Sequence, residues 1–397
     1  MKNYFEKLER RVQKYKTKYA NRPRKAAFKL ALWNSCCIFK KLTTSISAGS
    51  INNYAFPKRG DIGIFIKGGI GDILINMNYV HALNNYLKNS YKIDVYVSNV
   101  TNFKQIFEDT LQFDIYSADD FLQQDKYIAL LEIMRFPKII YVSPNAIESS
   151  RLKKLLMLYA DFERDNSQIF SCMPNMDALA NMYSIINSQH RLSQANLYNI
   201  FNINDEFIYK IPSKNEDTTL SNFSLNNIDY ITINRGVDGN NVSAESTKLW
   251  EFESYCKLVK KIKEAYPKYK ICQLGISLSR CRIIDNVDIN LIGKTNLSDL
   301  KVLLKNSKLH IDTEGGMVHL RQAVGGGKSV VIFGPTNPKF YGYKDNINIS
   351  TKNCPLHCEW ANPFWQERCI NKNIYHICMR SITPDYVFEK IKEANIL

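Results

Sequence analysis

Three groups of residues in this 397-residue chain have types and spacing suited to chemistry. The first is Glu314-Gly315-Gly316-Met317-Val318-His319, set between an apolar strand that ends at Asp312 and a helix that stops at Gly325 to Gly327. Two adjacent glycines opening a helix leave its free N–H groups accessible to an anion, and the helix dipole favours negative charge there. Strand, glycine turn, helix, glycine stop and a second strand (Val330 to Phe333, then a Gly-Pro turn) make half of a nucleotide-binding α/β unit. The ligand expected there is a nucleotide diphosphate. The second group, Gly68-Gly69-Ile70-Gly71-Asp72, also joins a strand to a helix. The third glycine of a dinucleotide fingerprint would fall on Leu74, so that reading fails. Asp72 would instead hold its own carboxylate at the positive helix end, where most such residues only stabilise the helix. Facing a cleft, it could accept a proton from an acceptor hydroxyl, as a weak base that works by position. The third group is Cys354, Cys358, Cys369 and Cys378, spaced C-x3-C-x10-C-x8-C. Four thiolates at this density can hold zinc or a single iron as a closed structural site, with His357 or His376 replacing one Cys. Against that, the spacing is not a zinc-finger one and buried free cysteines are common.

The elements that must position these groups alternate between strand and helix. Ile62 to Ile66 reads as a β-branched strand, followed by a helix from Ile73 to about Leu87 and a second strand at Asp94 to Ser98. Shorter strands are expected at Phe113 to Tyr116, Tyr127 to Leu130 and Ile139 to Val142. Residues 145–215 read as helical and polar, and Arg151, Lys153 and Lys154 as a solvated helix face or an anion contact. Residues 216–227, rich in Asn, Ser and Thr, read as a linker. Tyr230 to Asn234 opens a second α/β half, with a helix at Phe252 to Tyr266 and a strand at Lys270 to Leu274. The expected parts are an extension (1–45), a first domain (60–215), a second domain (228–350), a cysteine segment (351–382) and a final helix (383–397). Two such halves predict two Rossmann-like domains facing each other across a cleft.

Charge is concentrated outside those halves. The net charge is +15, yet residues 1–45 hold 13 Lys/Arg against Glu6 and Glu9, or +11, which leaves +4 for the rest. Phe5, Leu8, Val12, Tyr15 and Tyr19, then Phe28, Leu32, Cys36 and Phe39 beyond Pro23, have helical spacing between the basic residues. Such helices suit an anionic membrane surface, or they cover the body or a second subunit of a homo-oligomer. No nucleic-acid motif accompanies the charge, so nucleic acid is not an expected partner. No apolar run approaches the roughly 20 residues of a membrane span. Lys29, Lys40 and Lys41 interrupt any signal-peptide core, so the expected location is the cytoplasm, with peripheral contact at the inner membrane.

Glu314 to His319 followed by Phe333-Gly334-Pro335-Thr336 resembles family 9 glycosyltransferases, the bacterial ADP-heptose:lipopolysaccharide heptosyltransferases. Their usual form is Asp-Thr/Ser-Gly-x-x-His and then Phe-Gly-Pro-Thr; Glu314 stands at the Asp position, with Asp312 two residues earlier. Gly68 to Asp72 is similar to the family's Gly-x-x-Gly-Asp, and Lys248-Leu249-Trp250 to its Lys-x-Trp. Leu291-x-Gly293-Lys294-Thr295-x-Leu297 also looks like the family. Cys378-Met379-Arg380-Ser381-Ile382 matches the end of cysteine clusters in members that modify autotransporter proteins. The resemblance spans roughly residues 60–392. It implies a GT-B fold with the donor nucleotide on the second domain and the acceptor on the first. The implied reaction is inverting, metal-independent transfer, most simply of heptose from ADP-heptose to a lipopolysaccharide-core glycolipid or a protein hydroxyl. Asp72 would be the base. Lys248, Arg235 as a second cation, and the Gly315–Gly316 helix end would stabilise the departing diphosphate. Glu314 or Asp312 would bind ribose or sugar hydroxyls, and Lys294 and Thr295 would lie near base and ribose. Gly71, Met317 and Thr336 would wall the donor site, and His319 would lie at the diphosphate as a hydrogen-bond donor or structural support. No catalytic cofactor is implied; zinc or iron at the cysteines would be structural. The alternatives are another nucleotide sugar on the same fold, or a non-catalytic nucleotide-binding scaffold.

Overall fold

The β-branched runs of both halves become the central strands of two open sheets. The computed structural model describes residues 61–107, 112–121, 127–143, 150–171, 176–236, 246–277, 281–354, 356–361, 365–370 and 376–397. The basic extension, with its expected amphipathic helices, lies outside the described residues. Arg59–Leu397 forms one unit.

The first half runs β1 (Ile62–Ile66), α1 (Ile70–Tyr86), β2 (Ile93–Val97), α2 (Val100–Phe107), β3 (Asp114–Ser117), β4 (Ala129–Ile133) and β5 (Pro137–Val142). Helices α3 (Ser150–Asp165), α4 (Ser167–Ser171) and α5 (Met176–Ile186) follow. The sheet order is β3-β2-β1-β4-β5. All pairs are parallel except β4 with β5, a hairpin whose turn is residues 134–136. Ile62, Ile64 and Ile66 are at most 1% exposed, because β1 is central and covered on both faces. Each such side chain contributes about 1.5–3 kcal/mol on burial. The strand order reverses between β1 and β4, and ligands of open α/β sheets bind at the carboxyl ends beside such a reversal.

The second half runs α6 (Glu216–Asn222), β6 (Tyr230–Asn234), α7 (Phe252–Ala265), β7 (Lys270–Leu274), β8 (Ile289–Asn290), α8 (Leu297–Asn306), β9 (Leu309–Thr313) and α9 (Gly316–Ala323). It ends with β10 (Ser329–Ile332), α10 (Pro338–Tyr341), β11 (Ile347–Ile349), α11 (Ile377–Arg380) and α12 (Pro384–Glu393). This sheet is parallel throughout, in the order β11-β10-β9-β6-β7-β8, and it reverses between β6 and β9. The expected linker begins with a helix instead. Glu216 and Asp217 occupy the positive end of α6, where carboxylates are favoured. Glu216 also takes Lys305 at 2.6 Å and Asn306 at 2.9 Å from α8.

The halves share one apolar core, in which Leu74 and Met77 of α1 belong to the same cluster as Val318 and Leu320 of α9. Leu297 N–H and Ser298 Oγ at the start of α8 donate to Gln105 of α2, at 3.4 and 3.1 Å. Near the C-terminus, the buried Trp250 donates from Nε1 to the Ile382 carbonyl at 2.9 Å, and α12 packs on α7 with Lys261 2.7 Å from Asp385. Among the described residues no helix is long and apolar enough to cross a membrane.

Candidate active site

At the carboxyl end of β1 the chain turns through Gly68, whose φ is +108°. A Cβ there would lie 2.4 Å from Asp72 Oδ2. Glycine therefore lets the Asp72 carboxylate fold back over its own loop, where Oδ2 accepts the Gly69 N–H at 3.3 Å. Oδ1 accepts from Arg135 Nη1 at 2.9 Å and from Arg191 Nη2 at 2.8 Å. Arg135 comes from the β4–β5 turn, beside β1 at the strand-order reversal, and also reaches Asp177 at 3.3 Å. Arg191 opens a short 3-10 turn, Arg191–Ser193, against α1. Burial alone would raise the Asp72 pKa, but the two guanidiniums and the Gly69 N–H outweigh it and hold the carboxyl below its usual value.

The reversal of the second sheet is built from two carboxylates with different jobs. Asn234, ending β6, donates to both oxygens of Asp312 at 3.0 Å, and the Thr313 N–H adds a bond at 2.7 Å. Asp312 thus ties the ends of β6 and β9 together. Glu314 instead receives Lys248 Nζ on Oε2 at 2.6 Å, with His319 Nε2 3.5 Å from Oε1. Burial pushes the Glu314 carboxyl up; Lys248 and His319 more than reverse this and bring it to about 2. Burial lowers the Lys248 ammonium pKa, and Glu314 followed by Glu359 raises it to a net upward shift. His319 is oriented by Tyr343, whose hydroxyl lies 2.8 Å from Nδ1.

The two glycine loops meet. A Cβ on Gly71 would lie 2.9 Å from His319 Cδ2, and one on Gly316 would lie 3.6 Å from Gly71 N. The amino ends of α1 and α9 therefore face each other, one from each half. Beside them is a cavity of about 680 Å³ lined by Gly71, Asp72, Arg135 and Arg191 from the first half. Lys248, Asp312, Glu314, Gly315, Gly316, Met317 and His319 line it from the second, and Tyr341, Glu359, Trp360, Trp365 and Gln366 from the chain beyond. Arg235, Lys294, Thr295 and Thr336 are not among the lining residues. Arg235 stacks 5.5 Å over the Phe252 ring, Thr336 is 1% exposed, and Lys294 is left exposed beyond the Gly293 turn, φ +71°. Leu297 and Leu300 line the wall on that side.

Arg135, Arg191, Tyr341 and Glu359 carry no motif and were not among the residues expected at the site. The Tyr341 hydroxyl donates to Glu359 Oε1 at 2.8 Å and accepts from Asn181 Nδ2 at 3.1 Å. Burial and the nearby Glu314 push the Glu359 carboxyl up to about 7.

The cysteine segment flanks this cavity and holds the Lys248 loop. Thr247 donates its N–H to the Gln366 carbonyl at 2.8 Å and its hydroxyl to the Trp365 carbonyl at 2.7 Å, and His376 Nε2 donates to the Thr247 carbonyl. Cys354, Cys358, Cys369 and Cys378 are all free thiols. Burial pushes the Cys378 thiol up to about 12, reinforced by Cys354, Cys358 and Cys369, and Cys358 is raised the same way by burial, Cys369 and Cys354. The four thiols thus act on one another's charge, and thiolates are the soft donors that zinc and iron take, but they are not drawn together as a coordination sphere. Among the described residues, no three His, Cys, Asp or Glu side chains are grouped in a metal-holding array.

Two Rossmann-like halves that share one cavity at the carboxyl ends of their sheets have the GT-B architecture. Residues 209–374 match the family model described as glycosyltransferase family 9 (heptosyltransferase). Comparison with curated protein sequences returns no match. Among solved structures, the iron-containing dodecameric glycosyltransferase TibC from enterotoxigenic E. coli H10407 is similar at 13% identity and TM-score 0.53, over 87% of this chain and 83% of that one. The same heptosyltransferase in complex with ADP-D-beta-D-heptose gives 13% identity and 0.51, over 85% and 76%. The family 9 glycosyltransferase from Veillonella parvula DSM 2008 gives 14% and 0.50, over 86% and 98%. Residues 209–374 are therefore similar to glycosyltransferase family 9, and the solved structures share the fold of the chain.

Proposed function

We propose that this enzyme transfers heptose from ADP-heptose, with inversion, to a hydroxyl of a lipopolysaccharide-core glycolipid or a protein. The observation that carries this reading is the single cavity holding Asp72 on one side and the Lys248–Glu314 pair at the Gly315–Gly316 helix tip on the other. The donor diphosphate sits on the free N–H groups of α9. Lys248 exchanges its bond to Glu314 for the β-phosphate, and Glu314 turns to ribose or sugar hydroxyls. The acceptor oxygen attacks the anomeric carbon from the face opposite the diphosphate, and its proton passes to Asp72. The bond to the diphosphate breaks, and ADP leaves with its charge offset by Lys248 and the helix end. The lowered Asp72 pKa makes it a weak base, so the proton moves late, once the attacking oxygen has become acidic. Arg135 and Arg191 fix the carboxylate in place for that step.

The same reading includes a zinc or iron held by Cys354, Cys358, Cys369 and Cys378. Such a metal would supply a rigid crosslink beside the Lys248 loop and would take no part in the transfer. The iron-containing, dodecameric description of TibC supports looking for both a metal and a homo-oligomer here. The basic extension would bring the enzyme to the anionic cytoplasmic face of the inner membrane. A thermal-shift screen of ADP-, GDP-, UDP- and CDP-sugars tests the donor assignment, since a ligand bound only by the folded state raises apparent stability. ADP-heptose is expected to give the largest shift; a preference for uridine compounds would overturn the heptosyl reading.

A further inference from the structure

Glu359 lines the cavity together with Lys248, Asp72 and Arg135. Its charge acts on Lys248 at the phosphate end and on Arg135 at the base end. Its backbone N–H is anchored 3.1 Å from the Pro335 carbonyl, in the turn after β10. Tyr341 occupies Oε1, while Oε2 has no hydrogen-bond partner among the described residues. The next residue, Trp360, places its ring 5.9 Å from the Arg135 guanidinium and is held at φ +60°. That conformation is unusual for a bulky side chain, and such residues cluster at ligand sites.

A donor whose diphosphate lies against Lys248 and α9, and whose anomeric carbon faces Asp72, must lay its sugar ring between them. We infer that Glu359 is a specificity-determining residue that hydrogen-bonds the hydroxyl groups of the transferred sugar, with Trp360 as the apolar wall behind the ring. A carboxyl group whose Oε2 has no hydrogen-bond partner among the described residues suits a polyhydroxylated ligand, and an aromatic face suits the sugar's C–H surface. Tyr341, itself fixed by Asn181, keeps the carboxyl from turning away. The cysteine segment thereby supplies a ligand contact as well as a brace for the Lys248 loop.

This inference rests on the donor-site reading above. It is tested by titrating ADP and ADP-heptose separately into the wild type, Glu359→Met and Glu359→Ala, with thermal unfolding of each. ADP affinity is expected to stay within about twofold in both variants. The margin by which ADP-heptose binds more tightly than ADP should shrink by about tenfold, the scale of one hydrogen bond to a charged group. A wild-type margin that persists in either folded variant would overturn the role of Glu359 alone. A wild type that binds neither ligand would overturn the donor reading and this inference together. If one variant fails to fold, the other carries the comparison.

Discussion

In the proposed transfer Asp72 accepts a proton, while two guanidiniums and a backbone N–H already favour its charged form. The arginines therefore act on the pH profile as well as on geometry. A base must be ionised to work, and a depressed pKa keeps Asp72 ionised to lower pH. The acid limb of kcat/KM should fall below the usual aspartate range. Arg135→Met leaves the burial of Asp72 opposed chiefly by Arg191, so the limb should move up in pH while ADP affinity holds; an unmoved limb would mean that Asp72 is not the titrating base. Asp72, Glu314 and Lys248 were legible in the sequence because each belongs to a short motif on a loop between a strand and a helix. The arginines were not, since Arg135 and Arg191 reach Asp72 from 63 and 119 residues away. Local spacing carries no trace of such contacts. Glu314 against Asp312 also needed the fold: only the pairing of β6 with β9 brings Asn234 onto Asp312 and leaves Glu314 to Lys248.

The helices α1 and α9 were each readable from their glycines, but their tip-to-tip approach was not. Gly71 and Gly316 are small for the sake of the opposite helix as much as for a ligand. Gly71→Ala would bring a Cβ to 2.9 Å from His319 Cδ2, and the buried His319, held by Tyr343, has little room to retreat. Overpacking of this kind costs about 1–3 kcal/mol. The tips should separate, with kcat/KM down at least about tenfold; turnover at the wild-type level would mean that the approach of the two tips is immaterial. The hairpin β4–β5 is a second feature that periodicity could not supply. Strands at Ala129–Ile133 and Pro137–Val142 were expected approximately, yet their antiparallel pairing decides that the turn between them delivers Arg135 to the β1 loop.

At the scale of the molecule, alternation of strands and helices made two Rossmann-like halves legible, and the structure joins them through a shared core. The cysteine segment was readable as a cluster but not as a clasp, because its bonds to Thr247 run through main-chain carbonyls of Trp365 and Gln366. If a metal braces that segment, purified protein should carry close to one zinc or iron per chain by elemental analysis. Cys378→Ser or a strong chelator should remove it, lower the melting temperature and reduce turnover by loosening Lys248. Full activity in metal-free protein would separate the cysteines from catalysis.

The central claim is that a donor diphosphate binds at the start of α9, and Gly315 offers the cleanest access to it. Its backbone is extended, φ 173°, and a Cβ there meets only the Thr313 carbonyl, at 3.9 Å. Gly315→Val should therefore fold normally while its side chain enters the space assigned to the phosphates. Calorimetric titration of ADP into wild type and Gly315→Val should show at least a tenfold loss of affinity, with melting temperatures within about 2 °C of each other. Equal ADP affinity in the two proteins would contradict the account.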